Sequence, residues 1–267
     1  MSEAQPQSSS PQGRPAGERL RGFKPVPLRV LIPNLITLLA LCLGLTAIRF
    51  AFEGAIEWAV SAIAAAAVLD GLDGRIARAL KGTSRFGAEL DSLADFVDFG
   101  VAPAIVLYFS GLDQMKSLGW LASLVFCIAC ALRLARFNVM IDDPELPAWR
   151  KNFFVGMPAP AGAVVGLLPV YLRFLLSVGS SRGFVALEIA YVLGVALLMA
   201  SRVPHFSGKS IGRVPRDYVA VVLIGLAAAL LLIVNFPVQS LVALSLLYLA
   251  TIPFSVRKFR TLQRENG

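Results

Sequence analysis

The 267 residues include 57% hydrophobic and only 16% charged side chains, with a formal net charge of +8 and a mean hydropathy of +0.71. Soluble domains carry about a quarter charged residues, so this composition excludes a soluble globular fold and describes a chain built for lipid. The basic excess is no nucleic-acid footprint, because the Lys and Arg residues sit in short stretches flanking apolar runs, where they orient membrane proteins.

Residues 1–27 are rich in Ser, Pro, Gln and Gly and too poor in apolar residues to bury a core, which predicts a disordered tail. The first apolar run starts near Leu28 and is too long for the h-region of a cleavable secretory signal. Arg19, Arg21, Lys24 and Arg29 are expected against anionic headgroups. About eight spans follow, each near the ~20 residues a bilayer demands, at 28–51, 55–80, 87–111, 117–139, 155–178, 184–203, 217–235 and 238–256. Lipid supplies no backbone partners, so the spans should be helices. The expected fold is all-α: a polytopic bundle forming one transmembrane catalytic domain at 28–256, with a basic cytoplasmic tail at 257–267.

Pro33, Pro103, Pro158, Pro160, Pro169 and Pro253 lie in or beside spans and predict kinks whose freed carbonyls neighbouring helices re-satisfy. Cys127 and Cys130 form a lone CxxC inside an apolar run and read as small packing residues. The single histidine, His205, reads as a loop or interface residue, and Glu188 as a locally paired one. Of the 25 basic residues, all but Arg49, Lys116, Arg173 and Arg182 fall on the side of both termini. That bias predicts cytoplasmic termini; the membrane itself is expected to be a bacterial inner membrane. Arg75, Lys81, Arg85, Arg202, Lys209, Arg213 and Arg216 read as part of this signal, and the Gly and Ala faces of the spans are compatible with a homodimer.

The stretch from Val68 to Gly100 is different in kind. It places Asp70, Asp73, Asp91, Asp95 and Asp98 inside apolar segments, where each charge costs roughly 2.5–3.5 kcal/mol near a bilayer centre. Five uncompensated carboxylates would cancel the stability of a typical domain, about 5–15 kcal/mol. Asp70 and Asp73 are three apart, and Asp91, Asp95 and Asp98 stand at i, i+4 and i+7, so each set lies on one helical stripe. Two acidic stripes joined by a short basic hairpin converge. Such a cluster repels itself unless divalent ions neutralise it. With no His or Cys nearby, its hard oxygens suit Mg²⁺, Mn²⁺ or Ca²⁺. A cation or proton transporter would spread carboxylates over several spans and depths; these crowd two adjacent helices.

The residues read Asp70-Gly-Leu-Asp73-Gly74-Arg-Ile-Ala77-Arg78, then Gly87-Ala-Glu-Leu-Asp91-Ser-Leu-Ala-Asp95. This resembles the signature of the CDP-alcohol phosphotransferases, DxxDGxxARx(7–8)GxxxDxxxD, at every fixed position. The resemblance implies a six-helix core around the site, and transfer of a phosphatidyl group from a CDP-linked lipid to an alcohol with release of CMP. It implies that Asp70, Asp73, Asp91 and Asp95 hold two divalent cations, Mg²⁺ or Mn²⁺, and that Asp95 also takes the proton of the attacking hydroxyl. Gly74 and Ala77 would leave room for the nucleotide, Arg78 and Ser84 would contact it, and Asn34, Thr37 and Gly87 complete the set implied for CDP-diacylglycerol.

A second layer narrows the acceptor. Ile32-Pro33-Asn34-Leu-Ile-Thr37 followed by Gly44 departs from glycerophosphate-using relatives, which tend to carry an arginine after the Thr. Arg133-Leu-Ala-Arg136-Phe137-Asn138, Phe154-Val-Gly156-Met157-Pro158-Ala-Pro160 and Ser201-Arg202-Val-Pro204-His-Phe-Ser207-Gly-Lys209 resemble the membrane-bound phosphatidylserine synthases. Asp98 stands where Asn or Ser is expected, and Ala159 and His205 where Ser or Ile and Thr are commoner. The implied acceptor is L-serine, with glycerol 3-phosphate, inositol phosphate or choline as alternatives of the same chemistry. Serine needs a cation for its carboxylate and acceptors for its ammonium. Arg133 or Arg136 is the candidate for the first and Asp98 for the second.

Overall fold

Apolar segments must pair their own backbone groups in lipid, and they do so here almost wholly as helices. The structure is a computed structural model that describes residues 28–141, 153–176, 181–206 and 219–266; the predicted tail at 1–27 lies outside them. Helix α1 (Leu28–Phe52) and α2 (Ile56–Ala79) form an antiparallel pair. α3 (Arg85–Phe96) runs through a π-helical turn (Val97–Val101) into α4 (Ala102–Ser110), and α5 (Ser117–Ile141) follows. Next come α6 (Ala159–Gly166), α7 (Leu168–Leu176) and α8 (Arg182–Ala200). α9 (Val219–Asn235) and α10 (Pro237–Asn266) complete the chain.

Among the described residues, six helical stretches are long and apolar enough to cross a membrane: Leu28–Phe52, Arg85–Ser110, Ser117–Met140, Ala159–Leu176, Arg182–Ala200 and Pro237–Arg264. The protein is a polytopic all-α membrane bundle. The expected eight spans would add α2, whose apolar face is diluted by the aspartates and arginines of its second half, and α9, of which 17 residues are described. Helix α10 runs on through most of the expected tail at 257–267, as far as Asn266.

Small residues set the packing. Ala40, Gly44, Ala47 and Ala51 recur every three or four residues on the buried face of α1, opposite Ala59, Ala62, Ile63 and Ala66 of α2. Without a hydrophobic drive between helices in lipid, such faces let backbones approach and gain dispersion. α5 and α8 pack beside them around Phe126, Cys130, Val192 and Met199, and Cys127 and Cys130 are free thiols in that packing.

The proline expectations take specific form. Pro169 cannot donate to the Val165 carbonyl, the chain breaks at Leu167 between α6 and α7, and Tyr191 of α8 donates its hydroxyl to Val165 O at 2.8 Å. Pro158 is the N-cap of α6 and Pro160 lies in its first turn. Pro103 follows the π turn, in which the Ala102 N–H reaches back to the Val97 carbonyl. The predicted local pairing of Glu188 is a two-pronged, buried ion pair. Arg173 Nε lies 2.6 Å from Glu188 Oε1 and Nη2 lies 2.5 Å from Oε2.

Two short strands were not anticipated. β1 (Phe153–Val155) pairs antiparallel with β2 (Pro204–Phe206), in the register Phe153 to Phe206, Phe154 to His205 and Val155 to Pro204. The Gly156 N–H extends the ribbon to Val203 O at 2.9 Å. This ribbon ties the start of α6 to the end of α8, and α10 packs against β2.

Candidate active site

The two acidic helices are held by their ends. α2 stops in a tight C-terminal motif: Gly82 N–H donates to Ala77 O at 2.9 Å and Lys81 N–H to Arg78 O at 3.3 Å, with Lys81 at φ 50° in the left-handed region. α3 starts on Ser84, whose Oγ accepts the Gly87 N–H at 3.0 Å. The hairpin between them seats on α1. Pro33 has no N–H for the Arg29 carbonyl, and Gly82 lies so close to that carbonyl that any Cβ at 82 would collide with it.

This hairpin turns the acidic stripes toward each other. One carboxylate oxygen each from Asp70, Asp91 and Asp95 lies within 4.8 Å of the other two. Asp70 and Asp95 come within hydrogen-bonding distance of one another. Asp73 is buried beside them, and its Oδ2 accepts from Thr37 Oγ1 at 2.6 Å. Carboxylates this close must share protons or a cation, and all the oxygens on offer are hard. The donor set therefore fits divalent ions of the Mg²⁺ and Mn²⁺ type.

A cavity of about 170 Å³ opens beside the aspartates. All seven residues predicted for the CDP-linked lipid line it: Asn34, Thr37, Gly74, Ala77, Arg78, Ser84 and Gly87, together with Asp73 and Asp91. The wall is narrow where glycine is required, since a Cβ on Gly87 would sit 2.7 Å from Asn34 Oδ1.

The three residues predicted for the acceptor separate. Arg133 is buried at 7% exposure, lies over the Phe137 ring at 5.0 Å and faces Asp95 and Asp70 electrostatically. Arg136 turns away: its Nη1 donates to Ala200 O at 2.8 Å and Ser201 O at 3.0 Å, capping the C-terminus of α8. Asp98 lies in the π turn, 1% exposed, against Gly44, where any Cβ would collide with Asp98 Oδ1. That oxygen has no hydrogen-bond partner among the described residues. It interacts with Asp70 but stands outside the three-carboxylate group.

Sequence reasoning missed two supports. Asn138 Nδ2 donates to Ser92 Oγ at 2.9 Å, pinning α5 to α3 between Asp91 and Asp95. Tyr248 of α10, some 115 residues from Arg133 in sequence, interacts with it electrostatically. Asn138 was visible as part of the Arg133–Asn138 motif; Tyr248 had no local signal.

Comparison with known proteins identifies the family. The family model described as CDP-alcohol phosphatidyltransferase matches residues 30–201, a range holding the whole acidic cluster and its cavity. The chain belongs to that family. Among curated relatives, the CDP-diacylglycerol–serine O-phosphatidyltransferase of Mycobacterium leprae is 45% identical over 246 residues, covering 91% of this chain and 80% of that protein. The protein of the same name from Mycobacterium tuberculosis is 44% identical over 244 residues, covering 91% and 83%. That from Helicobacter pylori is 36% identical over 184 residues, covering 68% and 75%. The α9 and α10 region lies beyond the CDP-alcohol phosphatidyltransferase match.

Proposed function

We propose that this CDP-alcohol phosphatidyltransferase transfers the phosphatidyl group of CDP-diacylglycerol to the hydroxyl of L-serine, forming phosphatidylserine and CMP. The observation that carries the reading is the convergence of Asp70, Asp91 and Asp95 beside a cavity lined by Asn34, Thr37, Gly74, Ala77, Arg78, Ser84 and Gly87. Serine as acceptor is supported by the names of the relatives and by Arg133, a buried cation facing the carboxylates.

Asp70, Asp73, Asp91 and Asp95 would hold two divalent cations, Mg²⁺ or Mn²⁺. Bound there, such ions neutralise charge on the diphosphate and on the departing CMP. The chain does the rest. Thr37 fixes the orientation of Asp73, and Ser84 holds the hairpin that closes the nucleotide cavity. The serine hydroxyl oxygen bonds to the lipid-bearing phosphorus, the bond from that phosphorus to CMP breaks, and the hydroxyl proton passes to Asp95. Arg133 receives the serine carboxylate, and Asp98 offers the counter-charge for the ammonium. Residues 28–256 form the catalytic unit, with site and termini on the cytoplasmic face of the inner membrane, where serine and divalent ions arrive.

The test is CMP release from CDP-diacylglycerol by purified protein with Mn²⁺ or Mg²⁺ and a panel of alcohols. Serine-dependent release that vanishes in Asp95→Asn is expected. Release with another alcohol alone would move the protein to a sister activity.

A further inference from the structure

Three stretches far apart in the chain, beginning at Arg133, Phe154 and Ser201, meet at the C-terminal end of α8. A helix end leaves carbonyls without intrahelical partners, and here those of Leu198, Ala200 and Ser201 take donors from other segments. Arg136 Nη1 donates to Ala200 O at 2.8 Å and to Ser201 O at 3.0 Å, and the Met157 N–H reaches Leu198 O at 3.4 Å. Ser201 Oγ accepts the Val203 N–H at 3.2 Å, and Val203 O accepts the Gly156 N–H at the mouth of the ribbon. Gly156, at φ 81°, passes so near Met199 O and Ser201 O that a Cβ there would lie 2.8 and 2.9 Å from them. The junction of α8 with the ribbon is thus closed, and Arg136 of α5 is part of it.

Two residues further on, α5 grips the acidic helix instead. Asn138 Nδ2 donates to Ser92 Oγ at 2.9 Å, and that hydroxyl lies 3.1 Å from Ala88 O, to which it donates in turn. Ser92 stands between Asp91 and Asp95, two of the three clustered carboxylates. Residues two apart on an α-helix point roughly 200° from one another, so α5 holds α3 from one side and the α8–ribbon junction from the other. Arg133 falls on the arc between these two grips, buried over the Phe137 ring. Neither Arg136 nor Asn138 lines the nucleotide cavity.

Building on the acidic cluster as the catalytic centre, we propose that Arg136 and Asn138 are positioning residues: together they make the end of α5 a cross-tie that fixes the Asp91 and Asp95 face of α3 at a set distance from the α8–ribbon junction. Asn138 acts through Ser92 on the two carboxylates. Arg136 acts through the α8 carbonyls on the placement of α5. Misplacing reacting groups by about 1 Å costs on the order of a hundredfold in rate, so hydrogen bonds of ordinary strength register in catalysis when they set such a spacing.

The experiment measures Mn²⁺ binding to purified full-length protein, from the electron paramagnetic resonance signal of free Mn²⁺, alongside CMP release. Asn138→Ala and Ser92→Ala should each weaken Mn²⁺ binding about fivefold, the scale of one neutral hydrogen bond, and the double variant should bind no more weakly than either single one. Arg136→Met should lower kcat about fivefold with the KM for serine within about twofold of wild type, and Arg136→Lys, which keeps a donor for the carbonyls, should recover most of that loss. Unchanged Mn²⁺ binding in Asn138→Ala overturns the proposal, as do losses that multiply in the double variant. So does an Arg136→Met protein whose serine KM rises while kcat stays, since that result makes Arg136 a substrate contact. Should Asn138→Ala fail to fold, Ser92→Ala is read by the same Mn²⁺ titration, and unchanged binding there overturns the proposal equally. Wild-type protein that binds Mn²⁺ but releases no CMP with any alcohol overturns the catalytic reading itself, which separates the two failures.

Discussion

Thr37 and Asp73 illustrate what one hydroxyl does in this site. The 2.6 Å bond from Thr37 Oγ1 to Asp73 Oδ2 crosses from α1 to α2 and fixes which lone pairs Asp73 presents to the cluster. Partners that orient a metal ligand are worth about 10–100-fold in metal affinity. On the proposed role of Asp73 as a cation ligand, Thr37→Val should raise the Mn²⁺ concentration for half-maximal activity about tenfold, with Thr37→Ser restoring it; a metal titration of CMP release checks both. Gly44 acts by absence. Its missing side chain leaves the space that Asp98 Oδ1 occupies, so a buried carboxylate and a glycine on different helices are one feature.

At the scale of elements, the helices that build the site are irregular where it matters. The π turn at Val97–Val101 sits between the acidic helix and Pro103; one extra residue in the turn lets α4 change phase while α3 keeps Asp91 and Asp95 on one stripe. At the other end of α4, near Gly111, Arg173 and Glu188 tie α7 to α8 with side chains 11% and 6% exposed. Breaking a buried pair by removing one partner costs about 3–5 kcal/mol, because the other charge stays buried. Glu188→Ala should lower the melting temperature of the detergent-purified protein sharply. Arg173→Met with Glu188→Ala should recover much of it, and CMP release per folded molecule should barely change.

For the whole molecule, the basic bias sets orientation. Thr83 in the hairpin and Gln114 after α4 are both exposed and lie on opposite sides of this reading. In a variant lacking Cys42, Cys127 and Cys130, a membrane-impermeant maleimide should label Gln114→Cys in intact cells and Thr83→Cys only after the membrane is opened. The reverse pattern would place the site outside.

Much of this was legible in the residues. Composition determined the membrane class, because apolar content is a sum that needs no contacts. The aspartate spacing announced the cluster, since i, i+3 and i+4 positions share a helical face whatever surrounds them. The cavity residues from 34 to 87 were implied by the resemblance to the CDP-alcohol phosphotransferase signature rather than by spacing, and the fold gathers them from α1, α2 and α3 into one cavity. Arg133 and Arg136 were not separable, being three apart at the end of one helix. Only the tertiary structure turned one toward the aspartates and spent the other on the carbonyls of α8. The β1–β2 ribbon, the π turn and Tyr248 were likewise decided by packing between segments far apart in sequence, where no local periodicity carries a signal.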